Sequence, residues 1–149
     1  MEPDANLAAD AMLPVLLRPG RGGYGLFIRD ALTAAGFTDM PPNGGYVLGL
    51  IEPDGLALAD VISDIGVSSH NARELVDMLV VRGYVDRTVD RSGVFLTLTE
   101  RGRAASAAVL AAALAVDARL LALVGAERLQ HTKETLAALL TLRTSAPRS

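Results

Sequence analysis

The stretch GVSSHNARELVDMLVVRGYV, residues 66–85, carries a helix with both of its ends marked. Ser68 stands where an N-cap belongs, because a short hydroxyl there can accept from a first-turn N–H that no helical carbonyl reaches. Ala72, Leu75, Val76 and Leu79 recur at i, i+3, i+4 and i+7 and make one apolar stripe, with His70, Arg73, Glu74 and Asp77 on the opposite face. Gly83 supplies the left-handed residue that ends such a helix, and Tyr84 and Val85 begin extended structure.

Reading outward, LALADVISDIG, residues 56–66, starts extended and passes into a short helix that stops at Gly66. Two short helices joined by a tight turn through Gly66 and Val67 form the pattern of a helix-turn-helix. Residues 84–102, YVDRTVDRSGVFLTLTERG, then place β-branched and aromatic residues on both sides of Asp90-Arg91-Ser92-Gly93, which predicts a hairpin. A hairpin directly after the second helix is a wing. Thr99 caps a long helix that runs to Val124, Gly125 breaks it, and a last helix follows from Ala126.

Upstream of residue 56 the pattern is also helical. NLAADAMLPVLLR, residues 6–18, spaces Leu7, Met12, Leu13, Leu16 and Leu17 mostly three to five apart, and FIRDALTAAGF, residues 27–37, reads as helix again. Between them Pro19 and the glycines of RPGRGGYG are expected to stop the first helix at Arg18 and restart it near Tyr24. Pro41 and Pro42 end the second of these, and a short helix is expected around Tyr46 to Ile51, closed by the Glu52-Pro53-Asp54-Gly55 turn. Gly20, Gly22 and Gly25 match G-x-G-x-x-G, the spacing that cradles a dinucleotide's pyrophosphate. The strand that should deliver them is missing, so nucleotide binding is the weakest of the functional readings.

Composition narrows the field. With 149 residues, 50% of them hydrophobic and 21% charged, the chain is expected to form one globular unit whose core is filled by Ala and Leu rather than by the 4% of aromatics. The absence of cysteine removes disulfides, thiol sensing and thiolate metal sites. His70 and His131 lie far apart with no second His beside either, so no protein-only zinc site is expected, and no nucleophile–base constellation supports an enzyme. No cofactor is expected. The longest uncharged run, residues 104–116, is 13 residues against about 20 for a bilayer span, so no membrane helix is expected. The acidic N-terminal stretch lacks a signal-peptide h-region, which implies a cytoplasmic location.

From AGFTDMPPNGGYVLGL through ADVISDIGVSSHNARELVDMLVVRGYVDR to LTLTERGRA, the chain resembles the MarR-type winged helix-turn-helix transcriptional regulators. The resemblance implies a mainly α fold with a small β wing. Residues 1–149 would form a single unit, with dimerisation helices from both termini (1–39 and 100–149) and a winged helix-turn-helix DNA-binding part (40–99). It implies a homodimer that binds double-stranded DNA at a pseudo-palindromic operator, one recognition helix per half-site, most simply as a repressor. Carried over onto this chain, Ser68, Ser69, His70, Asn71 and Arg73 would face the major groove, while Arg87 and Arg91 would lie on the wing. Their chemistry suits base reading, since Asn pairs bidentately with adenine, Arg with guanine or phosphate, and a wing Arg with a narrow minor groove. A small apolar or aromatic effector would occupy a pocket between the dimerisation and DNA-binding parts, for which Tyr24, Phe27 and Tyr46 are the candidates. Two features depart from the family pattern, a wing with few arginines and a first helix read as broken at RPGRGGYG.

Charge argues the other way. The chain holds 14 Lys+Arg against 17 Asp+Glu, formally −3, where a DNA binder should show a basic face. The distribution softens this, since residues 1–65 carry −6, residues 66–103 carry +1 and residues 104–149 carry +2. The alternative is a winged-helix protein–protein interaction module whose acidic surface excludes DNA.

Overall fold

The computed structural model describes residues 11–145. Its elements are α1 (Leu13–Ala34), α2 (Gly44–Leu50), β1 (Leu56–Ala57), α3 (Leu58–Ile65), α4 (Ser69–Val81), β2 (Val85–Asp90), β3 (Gly93–Leu98), α5 (Glu100–Val124) and α6 (Ala126–Ser145). The Leu7 end of the first helical reading lies outside the described residues. The mainly α winged helix-turn-helix architecture expected from the sequence is present.

The sheet is antiparallel in the order β1-β3-β2. Leu56 pairs with Leu96, Val85 with Leu98 and Asp90 with Gly93. The two residues left between β2 and β3, Arg91 and Ser92, form the wing tip. There the Asp90 carboxylate accepts from the Ser92 N–H (2.7 Å) and hydroxyl (2.5 Å), bonds that hold Asp90 below the usual carboxylate range.

One apolar cluster holds the unit together. The stripe read in α4, Ala72, Leu75, Val76 and Leu79, is buried with Val61 and Ile65 of α3, Leu96 of β3 and Val47 and Leu48 of α2. Leu32 of α1 and Ala105 and Val109 of α5 extend the same core toward the long helices. Gly45 is where these layers meet, because a Cβ there would lie 3.1 Å from both Ile28 Cγ2 and Leu32 Cδ1 and 3.3 Å from Val109 Cγ2. A small residue lets α2 sit against α1 and α5 together.

The first helix corrects one expectation. α1 runs unbroken through Pro19, Gly20, Gly22, Gly23 and Gly25 instead of stopping at Arg18. In an isolated helix those five residues would cost roughly 7 kcal/mol relative to alanine. Tertiary contacts outweigh that cost: Ile28 and Leu32 enter the core, and the Tyr24 hydroxyl donates to Asp117 on α5. Continuity also removes the nucleotide reading, since Gly20, Gly22 and Gly25 are turns of a helix rather than a strand-to-helix loop.

α5 is longer and more apolar overall than its uncharged run conveys. Its 25 residues reach a mean hydropathy of 2.1 over an 18-residue window, so by length and composition it could cross a membrane, whereas the 13-residue uncharged run suggested otherwise. The difference arises because Asp117 and Arg119 are isolated charges in an otherwise apolar helix. In this fold Gly102, Ala105, Val109, Ala112 and Val116 turn one face of α5 inward, and Ala105 and Val109 join the core.

Candidate nucleic-acid interface and ligand cleft

The second helix of the pair, α4, is set by its two ends. At the front, α3 stops at Gly66, whose φ of +74° is the left-handed conformation a tight turn needs. The Ser68 hydroxyl then accepts from the Asn71 N–H at 3.2 Å, so this oxygen serves the cap expected of it. Ser69, His70, Asn71 and Arg73 are all exposed on the first two turns. Asn71 and Arg73 have no ion-pair partner among the described residues, nor does Arg91 at the wing tip.

Arg87 is placed differently. Its guanidinium is paired with Asp77 of α4, which ties the wing to that helix and neutralises one carboxylate on that face. Arg73, Asp77 and Arg87 line one small cleft with Leu58 and Val76, so the wing and α4 share a surface. His70 Nε2 sits 3.3 Å from Glu74, the second carboxylate of the face. Of the two carboxylates on this face of α4, Asp77 is thus paired with Arg87 and Glu74 has His70 beside it.

At its far end α4 meets a polar node that no local sequence signal announces. Asp39, in the connection between α1 and α2, accepts from the Tyr84 hydroxyl (2.5 Å) and from Arg101 of α5 (2.8 and 3.3 Å), and its backbone carbonyl accepts from Arg82. Arg101 also donates to the Arg82 carbonyl and stacks 4.2 Å over the Tyr84 ring. The Tyr84 and Arg101 bonds hold the Asp39 carboxyl below the usual carboxylate range. Burial, reinforced by the bond to Asp39, pushes Tyr84 up to about 12. Asp39 meets partners 43 to 62 residues away, so sequence spacing could not have found them.

A cleft of about 650 Å³ opens between α1 and α2. Tyr24 and Tyr46 line it, together with Ile28, Phe37 and Met40. Phe27 does not; it turns away, and Arg119 lies 4.7 Å over its ring. The reason is helical phase, since residues 18, 21, 22, 25 and 29 share the cleft face of α1 and residue 27 points elsewhere. Sequence reading missed Arg18, Arg21 and Arg29, three cations around a lining that contains no carboxylate. Arg21 stacks 4.2 Å over Tyr46 across the mouth. The bond to Asp117 pushes Tyr24 up to about 12, so its proton stays on the phenol. Among the described residues no three His, Asp or Glu side chains gather as a metal site.

A short helix pair with an exposed, capped second helix and a hairpin packed beside it defines a winged helix-turn-helix protein. No family model and no curated protein matches the sequence, but solved structures match the fold over nearly their whole length. A MarR family transcriptional regulator from Rhodococcus sp. RHA1 aligns with a TM-score of 0.70 at 24% identity, covering 88% of this chain and 97% of that one. The Mycobacterium tuberculosis MarR family protein Rv2887, in complex with salicylic acid, aligns with a TM-score of 0.60 at 28% identity, covering 89% and 99%. A Staphylococcus aureus MepR mutant bound to an oligodeoxyribonucleotide aligns with a TM-score of 0.53 at 18% identity, covering 89% and 98%. The chain has the winged helix-turn-helix fold that these MarR family proteins share.

Proposed function

We propose that this protein is a cytoplasmic, non-catalytic transcriptional repressor that binds a pseudo-palindromic operator as a homodimer and leaves it when an aromatic carboxylate enters the α1–α2 cleft. The observation that carries the DNA reading is the exposed, unpaired edge of Asn71 and Arg73 on a capped helix, beside a wing that presents Arg91. The helix offers the groove an amide and a guanidinium that can each make a bidentate base contact, and its first-turn N–H groups can meet phosphate. The MepR complex with an oligonucleotide supports the same use of this fold.

Surface chemistry supports homodimerisation. Leu110, Leu114, Leu121 and Leu123 of α5 and Leu139 and Leu140 of α6 are between 41% and 60% exposed, a long apolar surface that a second copy would cover. The residues proposed for this role are 1–39 and 100–149, flanking the reading part at 40–99.

The effector class comes from the cleft. Its volume falls in the range of small-ligand sites, its walls carry aromatic rings, and its three arginines call for an anion. The salicylic acid complex of Rv2887 supports that choice. Because α1 forms one wall and α2 the other, a ligand that fits only one separation of these helices would shift the dimer between DNA-competent and incompetent states.

The test is fluorescence anisotropy of the protein on a duplex of its own upstream DNA against a shuffled control, over a salt series. Asn71→Ala and Arg73→Ala should each lose about 1–3 kcal/mol of specific binding with unfolding unchanged. Salicylate should release wild type but not Arg21→Ala. Intact affinity in both reading-helix variants would sink the assignment. Glu74, Asp77, Asp86 and Asp90 are exposed near the same surface and favour the second reading, a protein-interaction module; no binding to any duplex at low salt would select it.

A further inference from the structure

We infer that Arg143 is a positioning residue for the reading helix, transmitting the placement of α6 to the front end of α4; this rests on the DNA-binding reading above. Arg143 lies in the last turns of α6, about 80 residues from the groups it touches. One guanidinium nitrogen donates to Asp64 Oδ1 at 3.0 Å, and the other donates to the Ser63 carbonyl at 2.9 Å and to the Ser63 hydroxyl at 3.2 Å.

The location gives these bonds their meaning. Ser63 and Asp64 form the last turn of α3, where carbonyls lack helical partners and the helix dipole favours a cation. Four residues after Asp64 stands Ser68, the cap of α4, reached through Gly66 and Val67. A fork that fixes the end of α3 therefore fixes the approach to the turn of α4 that carries Asn71 and Arg73. The other end of α4 is held separately by Asp39, Arg82 and Arg101.

α6 itself is weakly held within the chain. None of its described side chains is buried, and Leu136, Leu139, Leu140 and Leu142 remain exposed. Where α6 sits is then decided by whatever covers that apolar face, which in the proposed dimer is the second copy. Arg143 is a direct polar tie from that helix to the helix-turn-helix. A change in dimer geometry that shifts α6 would pull on the end of α3 and re-aim the reading helix.

The experiment compares wild type, Arg143→Ala, Arg143→Lys and the exchange Asp64→Arg/Arg143→Asp, all as full-length protein. Amide hydrogen exchange over residues 66–72 is read in the free protein, and affinity is read on a two-half-site duplex. Arg143→Ala should speed exchange at residues 66–72 about threefold while protection in α5 is unchanged, the scale of one exposed ion pair. Affinity should fall about tenfold, since two protomers each lose about threefold. Arg143→Lys and the charge exchange should each recover part of the loss, since the exchange restores the ion pair to position 64 but leaves the Ser63 carbonyl without its donor.

Unchanged exchange at residues 66–72 would overturn the inference, as would a uniform rise in exchange across the whole chain, which marks a merely structural residue. Faster local exchange with unchanged affinity would overturn the positioning role in DNA reading. If wild type binds no duplex, the functional reading fails on its own, and the exchange comparison alone then decides whether α6 is coupled to α4.

Discussion

Replacing Gly102 with alanine should destabilise this protein, although alanine is the better helix former. Gly102 lies in the first turn of α5, where a Cβ would stand 1.9 Å from the Tyr84 carbonyl oxygen and 3.0 Å from its carbon. Both are backbone atoms at the junction of α4 and β2, so no side chain can swing aside, and the carbonyl must retreat by about 1 Å to reach even a 3.0 Å contact. That carbonyl accepts from the Thr99 N–H at 3.1 Å, and the Thr99 hydroxyl donates to Gly83 O at 2.6 Å and caps Gly102 N at 2.9 Å. Overpacking costs about 1–3 kcal/mol and a lost hydrogen bond about 1, while alanine returns about 1 in helix propensity. The net loss is about 2 kcal/mol, which in a domain of this size lowers Tm by roughly 6 °C. Gly20→Ala supplies the control, because a Cβ there meets nothing within 4 Å and the residue is in mid-helix. It should raise stability by up to about 1 kcal/mol. Urea and thermal unfolding of both variants decide the matter. If Gly102→Ala is as stable as wild type, the close approach of α5 to the Tyr84 backbone is wrong.

Two further outcomes concern titration. Tyr24 and Tyr84 should ionise only near pH 12 in an ultraviolet phenolate titration. Because both folded-state values lie above the ordinary 10, their contribution to stability is complete below pH 10 and is lost as pH rises toward 12; Asp117→Asn should bring Tyr24 back toward 10 and leave Tyr84 unmoved. Asp39 is shifted the other way, so its contribution is present above the ordinary carboxylate value of 3.8 and is lost as pH falls through the lowered one. Asp39→Asn should flatten the acid limb of a stability-against-pH curve, and an unchanged limb would mean that the node between α4 and α5 adds no acid-dependent stability.

The helix-turn-helix and its wing were legible because their signals are local. Ser68 as a cap, Gly66 and Gly83 as left-handed stops, the i, i+3, i+4, i+7 stripe of α4 and the Asp90–Gly93 turn each involve residues within a few positions of one another. Backbone sterics and helical periodicity act at that range, so a single sequence suffices to place them. Arg73 was placed on the polar face of the helix by the same periodicity, whereas Asn71 entered only through the family resemblance.

Tertiary contacts decided what local signals could not. Pro19 and four glycines argue for a break, yet α1 is continuous, because Leu32 in the core and Tyr24 on Asp117 outweigh propensity costs that sequence alone assigns to coil. Phe27 and Arg21 are equally plausible cleft residues by spacing; only the phase of the folded helix puts Arg21 over Tyr46 and Phe27 under Arg119. Arg87 reads as a free wing cation until the wing folds back and pairs it with Asp77. The Asp39 node and the Arg143 fork join groups separated by 43 to 80 residues. Such pairs leave no periodic trace in the chain, since what brings them together is the burial of the apolar stripes, and the polar groups meet wherever that packing happens to leave them side by side.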